Sequence, residues 1–376
     1  MRNRHSFRCL LFGLSCLAWG SPNLAAAPPM ALPAGIRMVE LAGTDAAGPV
    51  AIDRGGTRVA YLGRGLRIRD LAGVEQAVST ELPTQLAWSA DGATLAAAFE
   101  AEGKARLRLF DAKGRPGAEV DLPGRVTGLQ ARNDGTWLVL TVELEPFRFG
   151  TRMAQVLHQW DGRGRPKAQV LNGSTLMPKV AESLKDQLPR ILGLALSPLQ
   201  DEILYYRLYN PPALASQLRL VLHHLDTGQT RVLAEVAMEA GGACFSGRGD
   251  CILYGDGVMA SQLADPWGDE TLATLPVPGR RVAMSPSGRT LLLDGQLFRD
   301  GRLLVSFPAE TRGFFTGKGE ALLLAEGGRL HWVSGLPEDA APPLGAADAA
   351  RLRELRKWLS EGLVSAEDYR TRRPAP

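Results

Sequence analysis

One short pattern recurs seven times along this chain: an apolar strand, a polar turn containing glycine or proline, and a second apolar strand. The instances are residues 50–62, 86–97, 128–140, 194–205, 243–254, 282–293 and 313–324. A unit of this size cannot bury its apolar face alone, so neighbouring units must stack on one another. The repeat therefore restricts the chain to architectures built from stacked, similar sheets.

A second signal follows the first inside several repeats. Residues alternate between apolar and polar and then meet an Asp and a Gly turn, as in residues 66–73, 107–114 and 223–228. Alternation with a period of two, bounded by such turns, predicts a further hairpin. Each repeat is thus expected to form about four strands, which predicts an all-β fold, a β-propeller of about seven blades. Six or eight blades remain open.

The turn motifs resemble those of WD-repeat and TolB-like propellers. Residues 285–288 read Ser-Pro-Ser-Gly and residues 89–92 read Ser-Ala-Asp-Gly. The Trp-Asp dipeptide occurs once, at residues 160–161, so the resemblance is closer to the looser TolB-like repeats. It covers about residues 36–336 and implies a propeller. Residues 36–41 precede the first repeat as a candidate strand, and we expect that strand to complete the short last blade.

The N-terminus has the features of a secretory signal peptide. An apolar run at residues 9–19 is preceded by Arg2, Arg4 and Arg8, and small residues follow at 25–27. This pattern predicts export to the periplasm or secretion. No later apolar stretch approaches 18 residues, so no membrane span is expected in the mature chain. The expected boundaries are residues 1–26 for the signal peptide, 27–336 for the propeller, 337–346 for a linker and 347–373 for a helical hairpin.

Charge and cysteine content bear on partners and compartment. Lys and Arg number 43 and Asp and Glu 40, a net charge of +3, which lacks the cationic excess of a nucleic-acid-binding domain. Cys9 and Cys16 leave with the signal peptide. Cys244 and Cys251 flank a hairpin turn, and an even count in an exported chain favours a disulfide between them. Two reduced thiols are the alternative.

Motifs for catalysis are missing from the sequence. There is no Gly-x-Ser-x-Gly elbow, no His-x-His and no His-Glu-x-x-His pattern. We therefore predict no catalytic residue, no cofactor and no metal ligand. Two alternatives stay open: a metal-dependent hydrolase or lactonase with scattered carboxylates around a central channel, and a carbohydrate or small-ligand binder.

The third and fourth repeats carry extra residues rich in aromatic side chains and arginine. The extra segments are residues 143–152 and 205–217, with an amphipathic helix pattern between them at residues 180–188. Long connections on a rigid scaffold usually carry function. We expect a protein-interaction scaffold that binds another envelope protein, with candidate partner-binding residues Phe147, Arg148, Phe149, Arg152, Tyr205, Tyr206, Arg207 and Tyr209. The alternative is that these aromatics cap the two longer blades.

The C-terminal residues predict two short helices. Gly362 ends the first helix, and Ser365 with Asp368 forms the capping pattern of the second. This segment resembles the SHOCT motif, which implies oligomerisation or partner contact. A hairpin of this length cannot bury a core by itself. It should dock on a partner, on a second copy of the chain or on the propeller, through Leu352, Leu355, Leu359, Leu363 and Tyr369.

Overall fold

The computed structural model describes residues 32–374 except residues 44–47, 102–103, 148–149, 162, 164, 179–190, 210–216 and 338–343. The expected signal peptide at residues 1–26 and the expected helix at residues 180–188 lie outside the described residues. Within them, the chain forms twenty-eight strands in seven four-stranded sheets, followed by two helices. This is the expected β-propeller, with seven blades.

The first four blades each consist of four strands that follow one another in the chain. Their strands are β2 (Val50–Ile52), β3 (Arg58–Gly63), β4 (Gly65–Asp70) and β5 (Glu75–Ser79); β6 (Pro83–Trp88), β7 (Thr94–Ala101), β8 (Lys104–Asp111) and β9 (Pro116–Leu122); β10 (Arg125–Ala131), β11 (Trp137–Phe147), β12 (Gly150–Trp160) and β13 (Pro166–Pro178); and β14 (Ile191–Leu196), β15 (Glu202–Tyr209), β16 (Gln217–His224) and β17 (Thr230–Val236).

The fifth and sixth blades follow the same plan, and the seventh takes its outer strand from the N-terminus. Their strands are β18 (Ala243–Phe245), β19 (Ile252–Gly255), β20 (Ser261–Asp265) and β21 (Glu270–Leu275); β22 (Val282–Met284), β23 (Thr290–Leu293), β24 (Gln296–Arg299) and β25 (Arg302–Ser306); and β26 (Arg312–Phe315), β27 (Ala321–Glu326), β28 (Arg329–Ser334) and β1 (Arg37–Gly43). We call the four strands of each blade a to d from the centre to the rim.

Local turn chemistry explains why the repeat folds as hairpins. In the a–b turn of blade two, the Ser89 hydroxyl accepts a hydrogen bond from the Thr94 amide at 2.9 Å. The Asp91 carboxylate accepts the Ala93 amide, also at 2.9 Å. Gly92 has a φ of 68°, a left-handed conformation that favours glycine. The Ser-x-Asp-Gly sequence therefore closes the turn without help from distant residues.

The apolar core lies between neighbouring blades. Residues 95–99 in the b strand of blade two are all buried, because each b strand is covered on both faces by the adjacent sheets. Leu66 and Ile68 of blade one pack with Leu86 and Phe99 of blade two in one such layer. Inner strands consequently have near-continuous apolar sequences, while the outer d strands keep exposed positions.

Strand β1 closes the ring. It pairs antiparallel with β28 from Arg37↔Ser334 to Gly43↔Arg329, with a bulge between Glu40 and Ala42. The last sheet has the order β1-β28-β27-β26. The expectation that an N-terminal strand completes the last blade is confirmed, and the two ends of the propeller are held in one sheet.

Two helices follow the propeller, α1 (Ala346–Ser360) and α2 (Ala366–Arg372). Ser365 and Asp368 form a capping box at the start of α2. After α1, Gly362 has a φ of 73° and its amide bonds to the Leu359 carbonyl, while the Leu363 amide bonds to the Trp358 carbonyl. This is a Schellman ending. Neither described helix is long and apolar enough to cross a membrane.

Ring closure through β1 can be tested with a backbone change. Proline at position 39, V39P, should lower the free energy of unfolding by about 2–3 kcal/mol, because proline has no amide hydrogen and distorts the strand. It should also speed amide hydrogen exchange in β28, the neighbour of β1. Val39→Thr keeps the backbone and the exposure of this side chain, and serves as the control. Unchanged exchange in β28 of the proline variant would contradict a closing role for β1.

Candidate functional site

Three strands of blade three continue beyond the ring. Strand β10 pairs with β11 only from Ala131↔Trp137 to Arg125↔Val142. Strands β11 and β12 stay paired to Phe147↔Gly150, and β12 and β13 to Gly150↔Pro178. We call this three-stranded extension, residues 143–147, 150–154 and 174–178, the blade-three arm. The long third repeat is thus a continuation of the sheet, where the sequence analysis expected a loop.

The arm carries both charged and apolar side chains. Glu145 and Arg152 lie opposite one another, and the Arg152 Nε donates to the Glu145 carboxylate at 2.7 Å. The Leu144 side chain is 56% exposed. Of the residues expected on the partner surface, Arg152 lies on the arm and the Phe147 backbone ends β11, whereas Arg148 and Phe149 lie outside the described residues.

The expectation that Tyr205 and Tyr206 face a partner is wrong. Both are buried, at 4% and 3% exposed. Neighbouring residues of a strand point to opposite faces, so Tyr205 packs in the layer shared with blade three and Tyr206 in the layer shared with blade five. The Tyr206 hydroxyl donates to the Gly242 carbonyl at 2.7 Å. These tyrosines belong to an inner strand whose two faces are both covered.

The other two residues expected on this surface remain accessible in part. Arg207 is exposed, and Tyr209 is half-buried at the end of β15. The Arg219 guanidinium stacks 3.4 Å from the centre of the Tyr209 ring and also bonds to Glu235. Tyr209 is therefore engaged within its own blade.

The C-terminal hairpin docks on the propeller, one of the three alternatives that the sequence left open. Leu352, Leu355 and Tyr369 are buried in the apolar layer formed by blades four and five. Leu359 packs against the same layer, whereas Leu363 is 68% exposed. The hairpin's apolar face is thus covered by its own chain.

A buried arginine anchors helix α1 to the propeller. Arg356 is 1% exposed, and its Nη1 lies 3.4 Å from both the Asp201 and the Glu202 carboxylates. The guanidinium stacks 3.5 Å from the centre of the Trp267 ring and donates to the Gly249 carbonyl. We call Asp201, Glu202, Gly249 and Trp267 the Arg356 socket. Removing Arg356 would leave the buried carboxyl groups without their cation, at a cost of about 3–5 kcal/mol.

Further arginines of the hairpin bond to the same two blades. Arg373 pairs with the buried Asp265, Arg370 donates to the Gly268 carbonyl at 2.8 Å, and Arg353 donates to the Leu199 carbonyl at 3.5 Å. The sequence analysis found the leucine face of α1 and missed these arginines. The available signal was Arg356 itself, a cation beside Leu355 within the apolar face of a predicted helix.

Burial changes the pKa of one carboxyl group in the Arg356 socket. Burial, with a further contribution from the Asp201 carboxylate, raises the pKa of Glu202 to about 8, against the lowering effect of Arg356. The Trp267 Nε1 donates to both Glu202 oxygens, at 2.9 and 3.0 Å. Burial thus makes Glu202 take up a proton more readily than an exposed glutamate, and Arg356 opposes this effect.

The expected disulfide is not formed in the structure. Cys244 and Cys251 are both free, although they lie in the same apolar layer. Residue Cys244 pairs directly with Leu253, and Cys251 lies two residues before Leu253, next to the turn. The two thiols are thus diagonal neighbours across the hairpin. Burial raises the pKa of both thiols to about 12.

The centre of the ring contains a cavity of about 610 Å³, lined by residues from all seven blades. Its ionisable residues are Asp53, Arg54, Cys244 and Lys318. Asp53 is buried and accepts hydrogen bonds from the Thr57 amide and hydroxyl, each at 2.7 Å. Within the described residues, no group of three or more His, Cys, Asp or Glu side chains is placed to hold a metal ion.

The raised pKa of Glu202 predicts that the free energy of unfolding depends on pH. The stabilisation from a neutral buried Glu202 is complete at low pH and is lost as the pH rises through about 8. Between pH 7 and 9 the native chain should lose about 1 kcal/mol of unfolding free energy relative to Glu202→Gln, which stays neutral. Thermal unfolding across this range measures the difference. Glu235→Gln, at an exposed ion pair, should follow the native pH profile; identical profiles for Glu202→Gln and the native chain would contradict the shift.

Comparisons with known proteins support the fold. No protein-family model matches the chain, and no curated protein matches it. Among solved structures, the chain is similar to hydrazine synthase from Kuenenia stuttgartiensis, with a TM-score of 0.54 and 13% sequence identity. The match covers 78% of this chain and 97% of that chain. At this identity the likeness shows a shared β-propeller fold alone.

Proposed function

We propose that this chain is an exported β-propeller, periplasmic or secreted, that acts as a protein-interaction scaffold and binds another envelope protein through the blade-three arm. The observation that carries the proposal is the arm itself. Within the described residues, no strand pairs with the inner edge of β11 beyond Val142 or with the outer edge of β13. Two strand edges on one projection therefore offer backbone hydrogen-bonding groups.

Strand edges of this kind favour a particular type of partner. Unpaired amide and carbonyl groups are a template for an added strand, so the arm suits a protein that exposes an extended segment. The exposed Leu144 would provide an apolar contact on one face of the arm, and the Glu145–Arg152 ion pair would provide charged groups on the opposite face. Protein interfaces combine apolar and charged groups of this kind.

Two features of the sequence are consistent with this role. The signal-peptide pattern at residues 1–26 would place the chain with envelope proteins. The turn motifs, which resemble those of TolB-like propellers, favour a propeller scaffold. Since the leucine face of the hairpin is covered by the propeller, a second contact or self-association through the SHOCT-like tail would use its outer side, where Leu363 is exposed.

A charge placed on the arm tests the proposal. Leu144→Asp introduces a carboxylate on the exposed apolar position, and desolvating it in the interface should weaken partner capture about tenfold or more. The measurement is quantitative capture from envelope extract with the mature protein, followed by affinity measurement with the partner it identifies.

Leu303→Asp is the matched control, because Leu303 is a similarly exposed leucine, 52%, on the outer strand of blade six. Capture should be weakened in the arm variant and unchanged in the control. A partner that both variants bind as tightly as the native protein would show that the arm is not the binding surface.

A further inference from the structure

The a–b turns of all seven blades surround the central cavity, and the second residue of each turn lines it. In five blades this residue is an alanine, a proline or a glycine, and in blade three it is Asn133. In blade one it is Arg54. The turn itself does not require an arginine, because the other six turns close without a charged residue at this position. Arg54 therefore calls for an explanation other than folding.

A second cation lies close to Arg54. Lys318, in the a–b turn of blade seven, also lines the cavity. The preceding Gly317 amide donates to the Arg54 carbonyl at 3.1 Å, so the turns of blades one and seven are in contact. Both cationic side chains are exposed, and in the described part of the chain neither has an ion-pair or hydrogen-bond partner. Two neighbouring cations repel each other unless an anion lies between them.

The carboxylates near these cations are engaged elsewhere. Among the described residues, Asp53 is the one carboxylate that lines the cavity, and it forms its ion pair with Arg58, at 3.3 Å. Glu320 lies in the same turn as Lys318 but does not line the cavity, and its Oε2 is buried. One side of the cavity mouth thus carries positive charge that the protein does not neutralise.

The cavity walls below the turns are largely apolar. They include side chains of the a strands, among them Ile52, Leu196 and Phe315, which are partly exposed to the cavity. A further cavity of about 280 Å³ shares Ile52 and Ala90 with the first and continues along the a strands. None of the described residues that line this second cavity is ionisable. Apolar walls of this kind favour a ligand with an apolar body, which releases water from them.

We propose that the central cavity binds a small amphiphilic anion. Its carboxylate or phosphate head accepts charge-assisted hydrogen bonds from Arg54 and Lys318, and its apolar body lies along the walls beside Ile52. The volume of about 610 Å³ is in the range of small-molecule sites, about 300–1,000 Å³. This site lies among the a–b turns and does not depend on the function proposed for the blade-three arm.

The test is calorimetric titration of the full mature protein with octanoate, octyl phosphate and neutral octanol, at matched ionic strength. At least one of the two anions should bind saturably, and about tenfold or more tightly than octanol. Replacing both cations, Arg54→Gln with Lys318→Gln, should lower the affinity for that anion about tenfold or more, the value of a hydrogen bond to a charged group. The affinity for octanol should not change.

The matched control is Arg64→Gln with Lys113→Gln. It makes the same change in net charge at two exposed side chains that do not line either cavity, and it should bind the anion as tightly as the native protein does. Ala90→Trp tests the apolar part of the site, because Ala90 lines both cavities. The indole ring should fill the space and abolish binding.

The outcomes separate the two head groups and decide the proposal. Saturation by octanoate assigns a carboxylate, and saturation by octyl phosphate alone assigns a phosphate. Thermal unfolding shows that each variant is folded, and the two glutamine substitutions replace exposed side chains, so the test does not depend on Ala90→Trp. No saturable binding of either anion, equal affinity for octanol and the anions, or native affinity in the variant without both cations would overturn the proposal.

Discussion

The pairing of β1 with β28 is the constraint on which the rest of the structure depends. Each blade buries its two faces against its neighbours. Both faces of every blade are covered only when the ring is closed. The N-terminal strand closes it by joining the last sheet, in register from Arg37↔Ser334 to Gly43↔Arg329. Non-local pairing of this kind removes the open ends that a linear stack of sheets would expose.

The sequence predicted the features that local chemistry determines. The hairpins follow from turns such as Ser89–Gly92, whose hydrogen bonds join residues only a few positions apart. The seven-fold repetition then defines the propeller, and the capping box at Ser365 defines the second helix. Each of these signals is complete within a short stretch of chain, so the sequence alone is enough to recognise it.

What could not be predicted depends on contacts between distant residues. Arg356 meets Asp201 and Glu202 across about 155 positions of the chain, and no motif links them. Tyr205 and Tyr206 were expected on the surface because aromatic residues beside a long connection also occur at interfaces. Their burial follows from the inner position of β15 in blade four; the repeat at residues 194–205 includes Tyr205 but does not show that this strand continues through Tyr206 to Tyr209.

The blade-three arm and the C-terminal hairpin lie at opposite ends of the strands. The arm extends from the b–c connection of blade three, whereas the hairpin lies over the a–b and c–d turns of blades four and five.

The hairpin's charged contacts suggest why it docks in one position. A buried ion pair often adds little net stability compared with apolar packing, because desolvation offsets the attraction. The leucine face alone would tolerate small shifts of α1 along the propeller. Arg356 is compatible with a single position of α1, because a displacement would separate it from Asp201 and Glu202 and leave charges buried without partners. We therefore infer that the socket contributes mainly the position of the hairpin on blades four and five.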